Sequence, residues 1–334
     1  MPHQNRRVGI VGQGLAGTAL AWQAHWRGYA VQIFDQGHTE SASWVAAGLI
    51  NPLVLKRKRL VKNAQAHCLS MERFYAKVEV ELDTELFYPG PIHEILSDHE
   101  EDNAWHGLAS EQGFDPFIGP SKPLSHPELK GFRMGEVNGS RRLRVQAYLT
   151  ESRRFFSQHH QVVEESVCQI EAQANAFVVN GQTVDILLLA EGLQAHWTTS
   201  FFGAPDFAPT RGEGLRISWQ GEPLHDAVHK NVFLLPDGDG TYQVGSTYAW
   251  EGFDLPPQQA AREEMCTKLR TWFNASFLVE DQWVGIRPTM KDRQPILGWH
   301  QEYSRLGYLN GLGSRGALLS PLLSAQLFEA ASLS

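Results

Sequence analysis

The beginning of the chain combines a short apolar run, a glycine-rich turn and a second apolar run, and this order restricts the fold strongly. Residues 8–11 are apolar and largely β-branched and predict a strand, which leads directly into the glycine turn at residues 12–17. Residues 18–27 predict a helix ended by Gly28, and residues 29–34 predict a second strand. A length of about 30 residues is typical of a strand–helix–strand unit in a parallel sheet.

Each glycine of the turn has a separate role if the unit binds a dinucleotide. Gly12 permits the tight turn, Gly14 lets a pyrophosphate approach the backbone, and Gly17 lets helix and strand pack closely. The helix N-terminus then favours the phosphates. Asp35 ends the second strand, about 20 residues further on, where a carboxylate accepts both hydroxyl hydrogens of a ribose. The unit predicts a dinucleotide site, with a purely structural turn as the alternative, and does not distinguish NAD from FAD.

Composition and charge narrow the class of protein. The 334 residues include 29 Lys and Arg against 37 Asp and Glu, a net charge of −8, which excludes binding of a polyanion through bulk charge. At about 100 to 200 residues per domain, the length suggests two domains or one large one. Three widely spaced cysteines argue against a disulfide scaffold, and a reducing cytoplasm is expected. No apolar run approaches about 18 residues, so neither a signal peptide nor a membrane span is expected.

Further segments carry alternative interpretations. Residues 41–52 are small and apolar, which suits backbone packed on a flat cofactor or the start of a helix. The basic residues 56–59 and Lys62 predict a solvated face, with contact to an anionic substrate or RNA as the alternative. The run 98–102 contains possible metal ligands without a ligand spacing, so we expect a solvated loop there.

The remainder of the chain predicts interleaved domains. Residues 85–137 contain short strand-like pieces, and residues 184–192 form the continuous apolar run of a strand buried on both faces, which returns the chain to its first sheet. The other expected elements are helices at 67–83, 145–159 and 256–273, a hairpin at 177–182 and an antiparallel sheet over 211–247.

The C-terminal part contains the most specific motifs. These are residues 283–289 (Trp-Val-Gly-Ile-Arg-Pro-Thr), 295–298 (Pro-Ile-Leu-Gly) and 310–321, which include Gly-Leu-Gly-Ser-Arg-Gly. Together with the opening unit, the chain resembles the D-amino-acid-oxidase family of FAD-dependent oxidoreductases. Within that family it is similar both to glycine and sarcosine oxidases and to the FAD oxidase half of a bifunctional tRNA wobble-uridine modification enzyme.

The resemblance implies an α/β fold with two domains. A doubly wound, Rossmann-like FAD-binding domain would be built from residues 1–84, 138–205 and 283–334. A mainly antiparallel substrate domain, formed by residues 85–137 and 206–282, would cover the flavin.

The resemblance also implies noncovalent FAD, since the C-terminal motifs contain no cysteine to attach it. Ala46, Ala47 and Gly48 would lie along the cofactor, Val167 would present backbone to the adenine, and the turn at 312–318 would direct backbone N–H groups at the flavin C2 carbonyl. The expected cofactor-binding residues are Gly12, Gly14, Leu15, Ala16, Gly17, Asp35, Gln36, Ser43, Ala46, Ala47, Gly48, Leu49, Val167, Ala190, Gly192, Leu312, Gly313, Ser314, Arg315, Gly316, Ala317 and Leu318.

Three residues are the catalytic candidates. By resemblance, Arg287 pairs with a substrate carboxylate, for which a planar guanidinium suits, with a structural salt bridge as the alternative. Tyr248 either faces the flavin or packs in the core. Arg315 either approaches an anionic substrate or anchors its turn.

The function implied is the oxidation of an amine or amino acid. Hydride would pass from a C–H beside nitrogen to flavin N5, and the imine would hydrolyse; oxygen or another acceptor would take the electrons. The alternatives are a tRNA-modifying oxidase, expected to need a partner enzyme, and a noncatalytic flavin-binding subunit. Asp35 departs from the glutamate commoner in the family.

Overall fold

The computed structural model describes residues 6–37 and 41–331. The helices are α1 (Leu15–Trp26), α2 (Ala64–Leu82), α3 (His99–Ala109), α4 (Val145–His159), α5 (His196–Phe202), α6 (Gln259–Arg270) and α7 (Gly316–Glu329), with a short 3-10 helix at Leu55–Arg57. The strands are β1 (Arg7–Val11), β2 (Ala30–Phe34), β3 (Leu49–Ile50), β4 (Leu53–Val54), β5 (Arg59–Leu60), β6 (Phe87–Pro89), β7 (Ile92–Leu96), β8 (Ile118–Pro123), β9 (Arg133–Val137), β10 (Arg141–Leu143), β11 (Gln161–Val163), β12 (Ile170–Ala172), β13 (Phe177–Val179), β14 (Gln182–Val184), β15 (Ile186–Leu189), β16 (Thr210–Trp219), β17 (Ala227–Lys230), β18 (Val232–Gly238), β19 (Thr241–Gly245), β20 (Phe277–Arg287), β21 (Ile296–Trp299) and β22 (Leu306–Asn310).

A six-stranded sheet holds the opening unit. Its order is β11-β2-β1-β15-β22-β21, and all neighbours are parallel except the antiparallel pair β21 and β22. All four residues of β15 are buried between β1 and β22, as the continuous apolar run predicts. The chain therefore returns to its first sheet from distant parts of the sequence.

Different elements cover the two faces of this sheet. Helices α1 and α7 pack against each other and bury Leu20 and Leu318 in the main core. On the other face, α5 and the small antiparallel sheet β12-β13-β14 bury Phe177. Asn180 and Gly181 link β13 to β14 with φ of 47° and 78°, so the predicted hairpin is present.

The second large sheet of the fold has eight strands. Its order is β20-β16-β19-β18-β17-β7-β9-β8, antiparallel except for the parallel pair β17 and β7. Strand β20 continues to Arg287, five residues past the proposed domain boundary at residue 282. The expected fold class, a Rossmann-like domain with a mainly antiparallel companion, is confirmed, whereas the exact division into domains stays a proposal.

Two local expectations were wrong. The acidic run at 98–102 is not a loop: Asp98 caps α3, its Oδ1 accepting from Glu101 N at 2.9 Å, while Glu101 Oε2 accepts from Ser97 N at 2.7 Å. Helix α6 begins at Gln259 rather than at residue 256, because consecutive prolines precede it.

Two features are absent from the described ranges 6–37 and 41–331. These ranges contain no helix with the length and apolar character needed to cross a membrane. They also contain no group of three or more acidic, histidine or cysteine side chains placed to hold a metal ion. All three cysteines are free.

Candidate active site

The glycine turn between β1 and α1 is packed so closely that none of its three glycines has room for a side chain. Gly12 has a φ of 91°, and a Cβ there would lie 2.5 Å from the Ala190 carbonyl oxygen. A Cβ on Gly17 would lie 1.8 Å from the Gly12 carbonyl oxygen, and one on Gly14 would lie 2.9 Å from Ser43 Oγ. The turn, α1 and the end of β15 therefore meet through backbone alone, as close packing around a dinucleotide requires.

The start of α1 presents free backbone donors. Leu15 N donates to Ser43 Oγ at 3.1 Å, whereas the N–H groups of Gly14, Ala16 and Gly17 have no partner among the described residues. No acidic residue lies in the first turn of α1. An unneutralised helix N-terminus with free N–H groups fits the diphosphate of a dinucleotide.

Asp35 is more heavily engaged than expected. Its carboxylate accepts from Gln13 N at 2.7 Å, from Gly37 N at 2.9 Å and from Arg153 Nη1 at 3.2 Å. A carboxylate has about four acceptor positions, so roughly one remains for a ribose hydroxyl instead of two. The sequence interpretation missed Arg153, which α4 brings to this site from far along the chain.

Arg153 also connects Asp35 to Gln13. Arg153 Nη1 donates to Gln13 Oε1 at 2.6 Å, and Nη2 donates to the Asp35 carbonyl oxygen at 3.0 Å. Gln13 is fully buried, and its Nε2 has no partner within the described part of the chain. An orphaned buried donor beside free backbone amides is a second observation that fits a polar ligand here.

Val167, Gln36 and Gly192, three further residues expected to bind the cofactor, follow strands that end at the same edge of the sheet. Val167 contributes its carbonyl to Trp197 Nε1 at 3.1 Å, while Gln36 is exposed and bonds to Ser166. Gly192 follows the end of β15 with a φ of 61°.

The segment containing Ala46, Ala47 and Gly48 is fixed against the strand β10. Gly48 has a φ of 71°, a Cβ there would lie 1.9 Å from the Leu143 carbonyl oxygen, and Leu143 N donates to the Gly48 carbonyl at 2.9 Å. Leu49 then begins β3, which pairs with β10. The backbone of this segment is therefore held rigidly, with Ala46 and Ala47 half-buried.

The C-terminal turn brings a second helix start to the first. Leu312 bridges to Thr289, and Gly313 N donates to the Pro288 carbonyl at 3.1 Å. Helix α7 begins at Gly316, where a Cβ would lie 2.7 Å from Leu15 Cδ1 of α1. The N-termini of α1 and α7 therefore lie side by side.

Only part of the predicted donor turn is free. The N–H groups of Gly313, Arg315 and Leu318 bond within the protein. Those of Ser314, Gly316 and Ala317 have no partner among the described residues, so these three are the donors able to reach a carbonyl oxygen.

Arg287 ends β20 as a cation that has no carboxylate partner in the described part of the chain. Its Nη2 donates to Ser246 Oγ at 2.8 Å, its Nη1 lies 3.4 Å from the Thr247 carbonyl, and its guanidinium lies 4.4 Å from the centre of the Tyr248 ring. A Cβ on Gly212 would lie 1.9 Å from Nη2, so the guanidinium lies directly on bare backbone. Burial lowers the pKa of Arg287, opposed by Tyr248.

The other two catalytic candidates lie beside Arg287. Tyr248 is 54 % exposed, so core packing is not its role. Arg315 is half-buried, and its guanidinium has no hydrogen-bond or ion-pair partner among the described residues. The structure therefore places Arg287, Tyr248 and Arg315 together.

A buried ion pair that sequence reasoning missed holds the loop that carries Tyr248. Arg211 Nη2 donates to Glu213 Oε1 at 2.7 Å and to the Pro256 carbonyl at 2.8 Å, and Nη1 donates to the Leu255 carbonyl at 2.7 Å. Glu213 Oε2 accepts from Gln258 N at 2.8 Å. The loop is therefore fastened to β16 at its far end.

Comparisons with known proteins agree with this geometry. Residues 7–330 match the DAO family, described as FAD dependent oxidoreductase, and the chain belongs to that family. It is therefore an FAD-dependent oxidoreductase, and its cofactor is FAD.

Individual relatives sharpen the likeness. The chain is 28 % identical to glycine oxidase of Bacillus subtilis (strain 168) over 49 % of this chain and 46 % of that protein. It is 26 % identical to the tRNA 5-methylaminomethyl-2-thiouridine biosynthesis bifunctional protein MnmC of Caulobacter sp. (strain K31) over 98 % of this chain and 54 % of that protein. These matches span about half the length of each relative. The crystal structure of glycine oxidase from Bacillus cereus ATCC 14579 superposes with a TM-score of 0.81 at 19 % identity, covering 96 % of this chain and 93 % of that chain.

Proposed function

We propose that the protein oxidises a small amino acid at the C–H bond beside nitrogen, with Arg287 holding the substrate carboxylate. The observation that carries the proposal is a half-buried guanidinium whose recorded partners are a hydroxyl, a carbonyl and an aromatic ring. Removing a cation from water is costly unless an anion compensates it, and a carboxylate matches the planar donor fork of arginine.

Ser246 and Tyr248 fix the direction of that fork. Ser246 Oγ accepts from Nη2, and Tyr248 covers one face of the guanidinium. We expect the substrate carboxylate to bind the N–H groups that Ser246 leaves free. Holding the carboxylate at one point orients the adjoining C–H bond, and orientation of this kind lowers a barrier by up to about 7–11 kcal/mol. Bound FAD supplies the hydride acceptor for this bond.

The protonation state of the amine follows from the surroundings of Arg287. Among the described residues, no aspartate, glutamate or histidine makes a hydrogen bond or ion pair with Arg287 or Arg315. The contacts of these arginines thus supply no base for the substrate amine, and we expect the amine to lose its proton to water before it reacts. We expect kcat/KM to rise with pH until the amine of the substrate is neutral.

Anaerobic flavin bleaching tests the proposal. The purified protein is mixed with glycine, sarcosine, proline and D- and L-amino acids, and the visible absorption of bound FAD is followed. We expect one class to bleach the flavin, and Arg287→Ala to lower kcat/KM by about 10²–10³-fold without loss of FAD. Arg305→Ala, which replaces a half-buried arginine bonded to the Asn175 carbonyl, serves as the matched control. An Arg287→Ala enzyme with full turnover would contradict the role given to Arg287, and a flavin bleached by no amine would contradict the function.

A second candidate is oxidation of a modified uridine in tRNA. It is favoured by the likeness to the bifunctional tRNA protein, which extends over 98 % of this chain, and by Trp250, which is 65 % exposed beside the site. Exposed aromatics stack on unpaired bases. Filter binding of bulk tRNA at two salt concentrations tests it: salt-sensitive binding supports the candidate, and no binding at low salt removes it.

A further inference from the structure

Four arginines gather at the proposed substrate site. Tyr248 is near enough to both Arg287 and Arg315 to raise their pKa values, and the charges of Arg57 and Arg293 lower the pKa of Arg315. None of the four makes an ion pair with a carboxylate in the described part of the chain. One carboxylate on Arg287 would leave the other three charges uncompensated.

Backbone contacts hold this group together. The bridge between Thr289 and Leu312 and the hydrogen bond from Gly313 N to the Pro288 carbonyl join the end of β20 to the turn that carries Arg315. Arg293 follows in a tight turn with a φ of 61°, its N–H donating to the Met290 carbonyl at 3.0 Å. The positions of Arg287, Arg293 and Arg315 are therefore set by one continuous backbone unit.

Arg57 reaches the same place from another part of the fold. It ends the 3-10 helix at Leu55–Arg57 and belongs to the basic run that the sequence interpretation assigned to a solvated face. It is exposed, and its charge lowers the pKa of Arg315. The run is thus solvated, but one of its members is near enough to act on the charge of Arg315.

The surroundings of Arg315 disfavour its charged form and lower its pKa. Burial lowers the pKa of Arg315 first, with Tyr248 raising it and repulsion from Arg293 and Arg57 lowering it further. Arginine nevertheless stays protonated in proteins. Arg315 is therefore a half-buried permanent cation that has no anionic partner among the described residues, and two further cations act on its charge.

Building on the proposed function, we propose that the preferred substrate carries two anionic groups. Arg287 takes the carboxylate beside the reacting carbon, and Arg315 takes a second carboxylate or phosphate at the other end, drawn in by Arg57 and Arg293. An amino acid bearing an acidic substituent on its nitrogen or side chain has this chemistry.

Binding of unreactive analogues separates this proposal from catalysis. Diglycolate has two carboxylates and an ether oxygen in place of the amine, and methoxyacetate has one carboxylate. We expect calorimetric titration of the holoenzyme to give at least tenfold tighter binding of diglycolate at low salt, a preference that falls as salt rises. Equal affinity for the two would overturn the proposal.

Variants locate the second anion. Arg315→Gln should reduce the preference for diglycolate over methoxyacetate by tenfold or more, and Arg57→Gln and Arg293→Gln by about two- to fivefold through lost long-range attraction. Arg59→Gln, an exposed member of the same basic run, is the matched control and should leave the preference unchanged. A preference unaffected by Arg315→Gln would overturn the assignment of that residue.

Substrates complete the test. Flavin bleaching by iminodiacetate and phosphoserine, compared with glycine and serine, distinguishes a carboxylate from a phosphate as the second group. If glycine bleaches the flavin and neither dianion reacts better, the second anion site is wrong while the proposed function stands. If no amine reacts, the proposed function fails, whatever the analogues bind.

Discussion

The two ends of the site are built by different means. At the nucleotide end, around Gly12 and Gly17, backbone packs on backbone. At the substrate end, the guanidinium of Arg287 lies across the bare backbone of Gly212, and its neighbour Arg315 has no partner among the described residues. The nucleotide end is therefore held by close backbone packing, whereas the substrate end consists of charged side chains that an anionic ligand would compensate. The same substitution, glycine to alanine, should therefore have different consequences at the two ends.

Gly17→Ala should have the largest effect. Its Cβ would lie 1.8 Å from the Gly12 carbonyl oxygen, and a backbone atom has no free space into which it can move. We expect a loss of about 3 kcal/mol or more in the free energy of unfolding and failure to retain FAD, measured by thermal denaturation and by the flavin-to-protein absorbance ratio.

Gly107→Ala is the control for that substitution. It replaces a glycine of helix α3 whose added Cβ would have no atom within 4 Å and whose φ is not positive. Helix propensity predicts a gain of up to about 1 kcal/mol there. If Gly17→Ala kept both stability and FAD, the close packing described for the nucleotide end would be incorrect.

Gly212→Ala should act on catalysis rather than on folding. Its Cβ would lie 1.9 Å from Arg287 Nη2, which belongs to the end of a flexible side chain and can move away. We expect kcat/KM to fall by about 10- to 100-fold, with FAD content retained and the melting temperature little changed.

Gly90→Ala, just before β7 of the same sheet, is the control. Its Cβ would have the end of the Asp226 side chain as its nearest neighbour, with Oδ1 at 3.9 Å, so activity and stability should both be retained. Unchanged activity in Gly212→Ala would show that Arg287 does not depend on the position it holds against β16.

The contrast also explains what the sequence predicts well. The opening unit and helix α4 are set by local spacing, so their positions follow from short stretches of residues. The acidic run at 98–102 contained the signal for a helix start, Asp98 followed by Glu101, but its charge suggested a solvated loop.

Contacts between residues far apart in the sequence could not be predicted from local sequence patterns. Arg153 donates to Asp35 from α4, and Arg57 lowers the pKa of Arg315 from an otherwise solvated run. Arg211 is fixed by carbonyls of a loop some 40 residues further on, a separation that no periodicity records. The motif arginine, Arg287, was identified by resemblance, but its lack of a carboxylate partner is visible only in the folded chain.

Arg153→Ala should weaken cofactor binding without abolishing it. The substitution removes the hydrogen bonds to Asp35 and Gln13 that hold the adenosine end together. Hydrogen bonds that involve a charged group contribute about 1.5–3 kcal/mol, so we expect the Kd of FAD to rise by about 10- to 100-fold in a flavin-fluorescence titration of apoprotein.

Arg154→Ala is the neighbouring control, since Arg154 is an exposed partner of Glu151 on the same helix. An unchanged Kd in Arg153→Ala would mean that Gln13 and Asp35 hold their positions without the guanidinium.

Acid should weaken, by a smaller amount, the packing at the other end of the opening unit, where α1 and α4 end and β2 begins. Val31 N donates to His160 Nδ1 at 3.2 Å, so neutral His160 carries its proton on Nε2 and donates it to His25 Nδ1 at 2.9 Å. Burial lowers the pKa of His160 to about 4, with further lowering by His25 and His159. Because the unfolded chain takes up this proton near pH 6.5 and the folded chain does not, stability is complete above pH 6.5 and is lost as the pH falls towards 4. With allowance for solvent screening of a half-buried group, the loss is about 1–2 kcal/mol, or a few degrees in Tm.

His160→Gln, whose amide oxygen still accepts from Val31, should show a flatter Tm profile over this range, and the exposed His159→Gln should follow the parent protein. An equally steep profile in His160→Gln would place the acid sensitivity elsewhere in the fold.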